Sequence, residues 1–196
     1  MKKIIYLLLL IFCVISRNNT VNASDDISAT LTNEYGDSYT VKVIEMSDVQ
    51  IMTNSEEGFS QTVVIDLTPE NLIANNSNTR SAWDSTSSVR ATLTVSWGFK
   101  NSGGITLVKV NSVSGGYTIS QSGVQVTSAS LNVGTSGWSD TSANGNSPKY
   151  YNVSSSFSVN PGFTHYVTTS GYSGANITLG INRGGTSWTL YLQNNY

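Results

Sequence analysis

The chain has 196 residues, of which 11% are charged, with one histidine and one cysteine. Gly, Ser, Thr and Asn dominate the rest. This composition excludes a coiled coil, a charged helical bundle and a basic nucleic-acid binder. It also leaves little for metal or nucleophile chemistry to be built from.

The N-terminus reads as an export signal. Lys2 and Lys3 are followed by the apolar run from Ile4 to Ile15, then by a polar stretch ending in Val21-Asn22-Ala23. Small or compact residues three and one before a cut are what signal peptidase accepts, so cleavage is expected between Ala23 and Ser24. The apolar run is shorter than the ~20 residues that a spanning helix needs. No stable membrane anchor is expected after cleavage. Cys13 lies within the apolar run and leaves with it, so the mature chain of 173 residues carries no cysteine. An exported domain without disulfides is held by its core alone. A secreted, extracellular protein of a Gram-positive bacterium is the expectation.

Charge divides the remainder. Residues 24–79 carry ten acidic groups and one base, Lys42, for a net of −9. Residues 80–196 carry Asp84 and Asp140 against six bases, for a net of +4. Thr68-Pro69-Glu70 opens a polar stretch ending in Asn75-Asn76-Ser77-Asn78-Thr79, which reads as a linker. The expected organisation is a signal at 1–23, an acidic β-rich segment with linker at 24–79, and a β domain at 80–196. Two to four strands are expected in the acidic segment, around Val41 to Ile44 and Thr62 to Leu67. Fifty-six residues are few for a separate core, so this segment reads as an annex or a leader. Opposite net charges predict a salt-sensitive contact if the halves pack together.

The second half alternates. Val89, Ala91, Leu93, Val95 and Trp97 share one face of a strand, with Arg90, Thr92, Thr94 and Ser96 on the other. Further runs follow at Ile105–Val113, Tyr117–Ser120 and Val124–Val133. In the last, the apolar phase slips by one residue, which predicts a bulge near Thr127. Tyr151 to Val159 reads as one strand, and Phe163 to Thr168 as another. Ile177, Leu179 and Ile181 alternate, Arg183-Gly184-Gly185-Thr186 turns, and Trp188, Leu190 and Leu192 alternate back as a tight hairpin. Gly103-Gly104 and Gly115-Gly116 read as further turns. Seven or eight strands without a helical period predict an all-β fold, an antiparallel β-sandwich of immunoglobulin-like or jelly-roll-like kind, with the acidic annex.

Chemistry is sparse. His165 is the single histidine and reads as structural or surface-lying, because no G-x-S-x-G elbow accompanies it. One His and no Cys do not fill a usual zinc ligand set. The segment from Asp140 to Asn146 has one carboxylate and two Asn, and the acidic pairs lack calcium-loop spacing. Only Asp84 and Asp140 serve as carboxylates in the second half, which argues against a glycosidase pair there. No catalytic residue, metal or cofactor is assigned.

The aromatics are more informative. Trp97, Trp188 and Phe157 are in phase with core positions and are assigned to packing. Trp138, Tyr150 and Tyr172 instead border polar stretches. Gly134 to Pro148 has no apolar periodicity and reads as a long loop, of the kind that often carries function. Trp138 with Tyr150 can stack on a sugar ring or grip a peptide. Trp138 packed beneath its own loop is the structural alternative.

The signal, the acidic leader, the strand Val89 to Trp97 and the closing hairpin Ile177 to Leu192 resemble small secreted all-β proteins of Gram-positive bacteria grouped as domains of unknown function. That resemblance implies no activity and no functional residue. The function expected from the residues is a secreted, non-enzymatic binding or surface-interaction module, with Trp138, Tyr150 and Tyr172 as ligand contacts. A cell-surface glycan or protein is the expected partner, and nucleic acid is not. A toxin-like or membrane-active protein is the alternative, with an enzyme inhibitor or a hydrolase behind it.

Overall fold

A computed structural model describes residues 27–52, 57–75, 89–139, 141 and 144–196. The expected signal, its cleavage site at Ala23 and Ser24, and Asn76 to Thr79 of the expected linker lie outside these residues. Among the described residues thirteen strands form two antiparallel sheets that pack face to face, so the chain is an all-β sandwich. In chain order they are β1 (Ser28–Asn33), β2 (Ser38–Val41), β3 (Val43–Met52), β4 (Glu57–Asp66), β5 (Leu72–Ala74), β6 (Val89–Ser102) and β7 (Ile105–Ile119). There follow β8 (Val124–Ser136), β9 (Gly145–Asn152), β10 (Ser156–Val159), β11 (Val167–Thr168), β12 (Tyr172–Arg183) and β13 (Thr186–Asn195). The first sheet runs β5-β2-β1-β13-β12-β8-β9 and the second β10-β7-β6-β4-β3, with β11 also on β7.

Period-2 alternation makes the core. Val89, Ala91, Leu93, Val95 and Trp97 of β6 are all buried, as the sequence pattern predicts. They meet Ala175, Ile177, Leu179 and Ile181 of β12 and Trp188, Leu190 and Leu192 of β13 in one apolar cluster. Full burial of each valine, leucine or isoleucine among them is worth about 1.5–3 kcal/mol. Aromatics close one end: Phe59 stacks on Trp97 at 5.7 Å, and Tyr196 lies against Trp97 and Phe99. The Trp97 indole N–H donates across the sheets to the Ser173 carbonyl at 3.0 Å, which satisfies a buried polar atom.

Among the described residues the acidic segment contributes five strands, more than the two to four expected, and does not form a layer of its own. β1 lies between β2 and β13, and β4 lies between β3 and β6. Ala29, Leu31, Val63, Ile65 and Leu67 belong to the same apolar cluster as the second half. Among the described residues one ion pair joins the two halves, Arg90 to Glu45 at 3.0 Å, with both side chains about half exposed. Exposed pairs contribute only about 0–1 kcal/mol. Apolar burial, rather than opposite charge, therefore holds the halves together.

The local patterns explain the connections. The pairing of β12 with β8 skips Thr127, because Gly180 faces Ser128 and Ile181 faces Val126, so the bulge falls where the apolar phase slips. Gly184 and Gly185 turn the last hairpin with φ of 57° and 84°, a backbone region open to glycine. Three sequence expectations need correction. Gly115 and Gly116 are not a turn but lie inside the continuous strand β7. A Cβ on Gly115 would lie 2.2 Å from the Thr92 carbonyl oxygen, so the close approach of β6 requires glycine. Residues 151–159 are not one strand: β9 belongs to the first sheet and β10 to the second, with the chain crossing at 153–155. Of Phe163 to Thr168, only Val167 and Thr168 pair as a strand, with Leu107 and Val108.

Two outcomes are expected. Leu31→Ala in the acidic segment should lose about 2–5 kcal/mol, as a core deletion does, while raising salt should shift the thermal midpoint little; calorimetry checks both. Burial holds the Tyr196 phenol above its ordinary pKa. The neutral form is thus favoured by folding, and this contribution is complete below the unfolded value of about 10 and lost as pH rises through the folded one. Tyr196→Phe should make stability less sensitive to alkali in denaturant titrations from neutral pH to above pH 10.

Candidate functional site

Alternation that buries one face of the first sheet exposes the other. Leu131 and Val133 of β8 point into the core, so Asn132 and Gly134 point outward. By the same rule Gly174, Asn176 and Thr178 of β12 and Thr189, Tyr191 and Gln193 of β13 face outward. Tyr151 of β9 packs on the core, which sends Tyr150 to the outer face. The strand register then aligns Tyr150, Asn132, Asn176, Gln193 and Ser28 in one row across five strands. The adjacent row is Asn152, Ser130, Thr178, Tyr191 and Thr30. None of these ten residues carries a charge. With strands about 4.8 Å apart, Tyr150 and Gln193 stand roughly 14 Å from each other.

The row has relief. Tyr150 is 75% exposed and stands up from the sheet edge. Asn176, although on the outer face, is only 9% exposed. Its amide N–H donates to the Tyr172 hydroxyl over a long 3.5 Å. Tyr172 lies over Gly134: a Cβ there would approach its ring to 2.8 Å. The paired residue Gly174 is covered by Asn195, whose Oδ1 a Cβ would approach to 2.2 Å. Asn132 Oδ1 is buried within this surface without a hydrogen-bond partner. A buried acceptor left unpaired costs about 1–3 kcal/mol. Tyr191 donates from its hydroxyl to Gln193 Oε1 at 2.7 Å, which fixes the orientation of that amide.

Of the three residues singled out from sequence, two share this face. Tyr150 and Tyr172 flank the Asn132–Gly134 segment of β8. Trp138 lies in the connection from β8 to β9, two residues beyond Ser136, the pairing partner of Tyr172. At 60% exposed, it is not packed beneath its loop. The expected long loop from Gly134 to Pro148 is shorter, since β8 extends to Ser136 and β9 begins at Gly145. The amides Asn132, Asn176 and Gln193 and the phenol of Tyr191 were not singled out. Their signal was the phase opposite to Leu131, Ile177 and Leu192, read as the outer face of one sheet.

His165 serves the same end of the sandwich. Its ring nitrogen Nδ1 lies 3.2 Å from the Thr141 hydroxyl. Asn146 Oδ1 accepts from the backbone N–H groups of Thr164 and His165, and its amide donates to the His165 carbonyl at 2.7 Å. The Thr168 N–H donates to the Trp138 carbonyl, and Ser139 bridges Val167. These bonds tie the β8–β9 connection to the segment before β11. Among the described residues, no group of three or more His, Cys, Asp or Glu is placed to hold a metal ion, and no helix is long and apolar enough to cross a membrane.

No protein-family model matches the chain, and no curated protein or solved structure matches it.

The two outward glycines separate packing from site. Gly174→Ala would set a Cβ 2.4 Å from the Asn194 carbonyl oxygen and should destabilise the fold by about 1–3 kcal/mol. At Gly134 the obstacle is the Tyr172 ring, which can swing away. Gly134→Ala should therefore leave the thermal midpoint nearly unchanged while shifting the Tyr172 ring resonances, which NMR detects.

Proposed function

We propose that the chain is a secreted, non-enzymatic binding module that holds an uncharged glycan on the outer face of its first sheet. The row Tyr150–Asn132–Asn176–Gln193 carries this reading. A tyrosine ring offers an apolar face to the C–H face of a sugar and a hydroxyl at its edge. Side-chain amides both donate and accept, which matches sugar hydroxyls that do the same. The absence of charge in the two rows disfavours phosphate, nucleic acid and acidic peptides as ligands. A row spanning five strands suits an extended chain laid across the sheet better than a small enclosed molecule.

Secretion is supported by the export signal at 1–23 and by the cysteine-free remainder. N-terminal sequencing of the extracellular protein should begin at Ser24. A membrane-active role is less favoured, because the apolar faces of the long strands are already committed to the sandwich core.

A glycan array followed by calorimetric titration tests the binding reading. Tyr150→Ala should weaken the best neutral glycan about tenfold or more, roughly 1.4 kcal/mol. Thr94→Ala, on the outer face of the second sheet, should leave binding unchanged. Binding that survives Tyr150→Ala would remove the site, and an array without a neutral ligand would remove the glycan.

A further inference from the structure

The edges of the two sheets are not equally protected. β5 is three residues long and β10 four, too short to template another strand. β9 carries Pro148 and Lys149, both of which discourage strand pairing. β3, the edge of the second sheet, is different. It runs for ten residues, Val43–Met52, without a proline or a basic residue. Val43, Ile44, Met46 and Val49 are between 37% and 58% exposed along it. Ile27, Val43, Ile44, Glu45 and Met46 line an open, mostly apolar recess of about 400 Å3 beside the strand. A long unpaired edge with apolar side chains is a template for main-chain hydrogen bonding.

Charge selects the occupant. Glu45 is engaged by Arg90. Asp48 lies two residues from Met46 on the same side of the strand, and among the described residues it has no ion-pair partner. A second copy of this chain fits poorly. Antiparallel β3 on β3 centred on Asp48 would set the Asp48 carboxylates of both copies side by side on one face, with no Lys or Arg in Val43–Met52 to answer them. We propose that β3 is a strand-addition site for an extended segment of another protein. That segment alternates, with apolar side chains opposite Val43 and Met46 and a lysine or arginine opposite Asp48. The main chain supplies affinity, and the recess with Asp48 supplies direction and register. This site lies on the second sheet and is independent of the glycan face.

The test titrates the isotope-labelled full chain with a capped peptide that alternates threonine with valine and then with lysine. A second peptide carries glutamate in place of lysine. The expected result is saturable shift changes confined to Ile27 and Val43–Gln50, with the lysine peptide binding about tenfold more tightly. Asp48→Lys, at an exposed position, should reverse that preference without altering the fold. No change at β3 with millimolar lysine peptide would overturn the proposal. So would equal binding of the two peptides, or a dimer in sedimentation whose formation shifts the Val43–Gln50 amides.

Discussion

The structure depends on the burial of two apolar sheet faces against each other, with strands from the acidic segment set inside both sheets. β1 is hydrogen-bonded to β13 and β4 to β6, so each sheet is continuous across the charge boundary. Leu31, Val63 and Ile65 are as fully buried as Leu93 and Ile177. A chain with a single cysteine forms no internal disulfide and has little else to rely on. The net charges of −9 and +4 belong to stretches of sequence whose strands interleave, and the one half-exposed ion pair between them among the described residues is a small part of the stability.

The same alternation that forms the core makes the two candidate surfaces. Every residue sent inward at Leu131, Ile177 or Leu192 sends its neighbour outward, and on the first sheet those neighbours are amides, hydroxyls and tyrosines. Rigid strands fix their spacing, which a loop would not. The edge β3 follows from the same logic in the other direction. Among the described residues no strand lies beyond it, and its apolar residues stay exposed at that edge.

Much of the fold is legible in the sequence because burial on one face leaves a period of two. The β6 core, the final hairpin and the bulge at Thr127 all follow from apolar phase. The glycine pair at 115–116 misleads, since Gly-Gly signals a turn as readily as a close approach between strands, and only the Thr92 carbonyl distinguishes them. The break between β9 and β10 is hidden for a similar reason: Tyr151, Val153, Phe157 and Val159 keep one phase while the chain changes sheets. Sheet membership is a long-range property, so the acidic strands also read as an annex. Tyr150 and Tyr172 stand out as aromatics among polar residues, whereas Asn132, Asn176 and Gln193 acquire meaning only when register places them in one row.

Native-state hydrogen exchange tests the interleaved core most directly. Regions that open only with the whole domain exchange with the global unfolding free energy, and separable pieces exchange with less. The amides of Leu31 in β1 and Val63 in β4 should exchange with the same free energy as those of Leu190 in β13 and Leu93 in β6, at low and high salt alike. Exchange of the β1 and β4 amides at a distinctly lower free energy, with the second half still protected, would contradict the account.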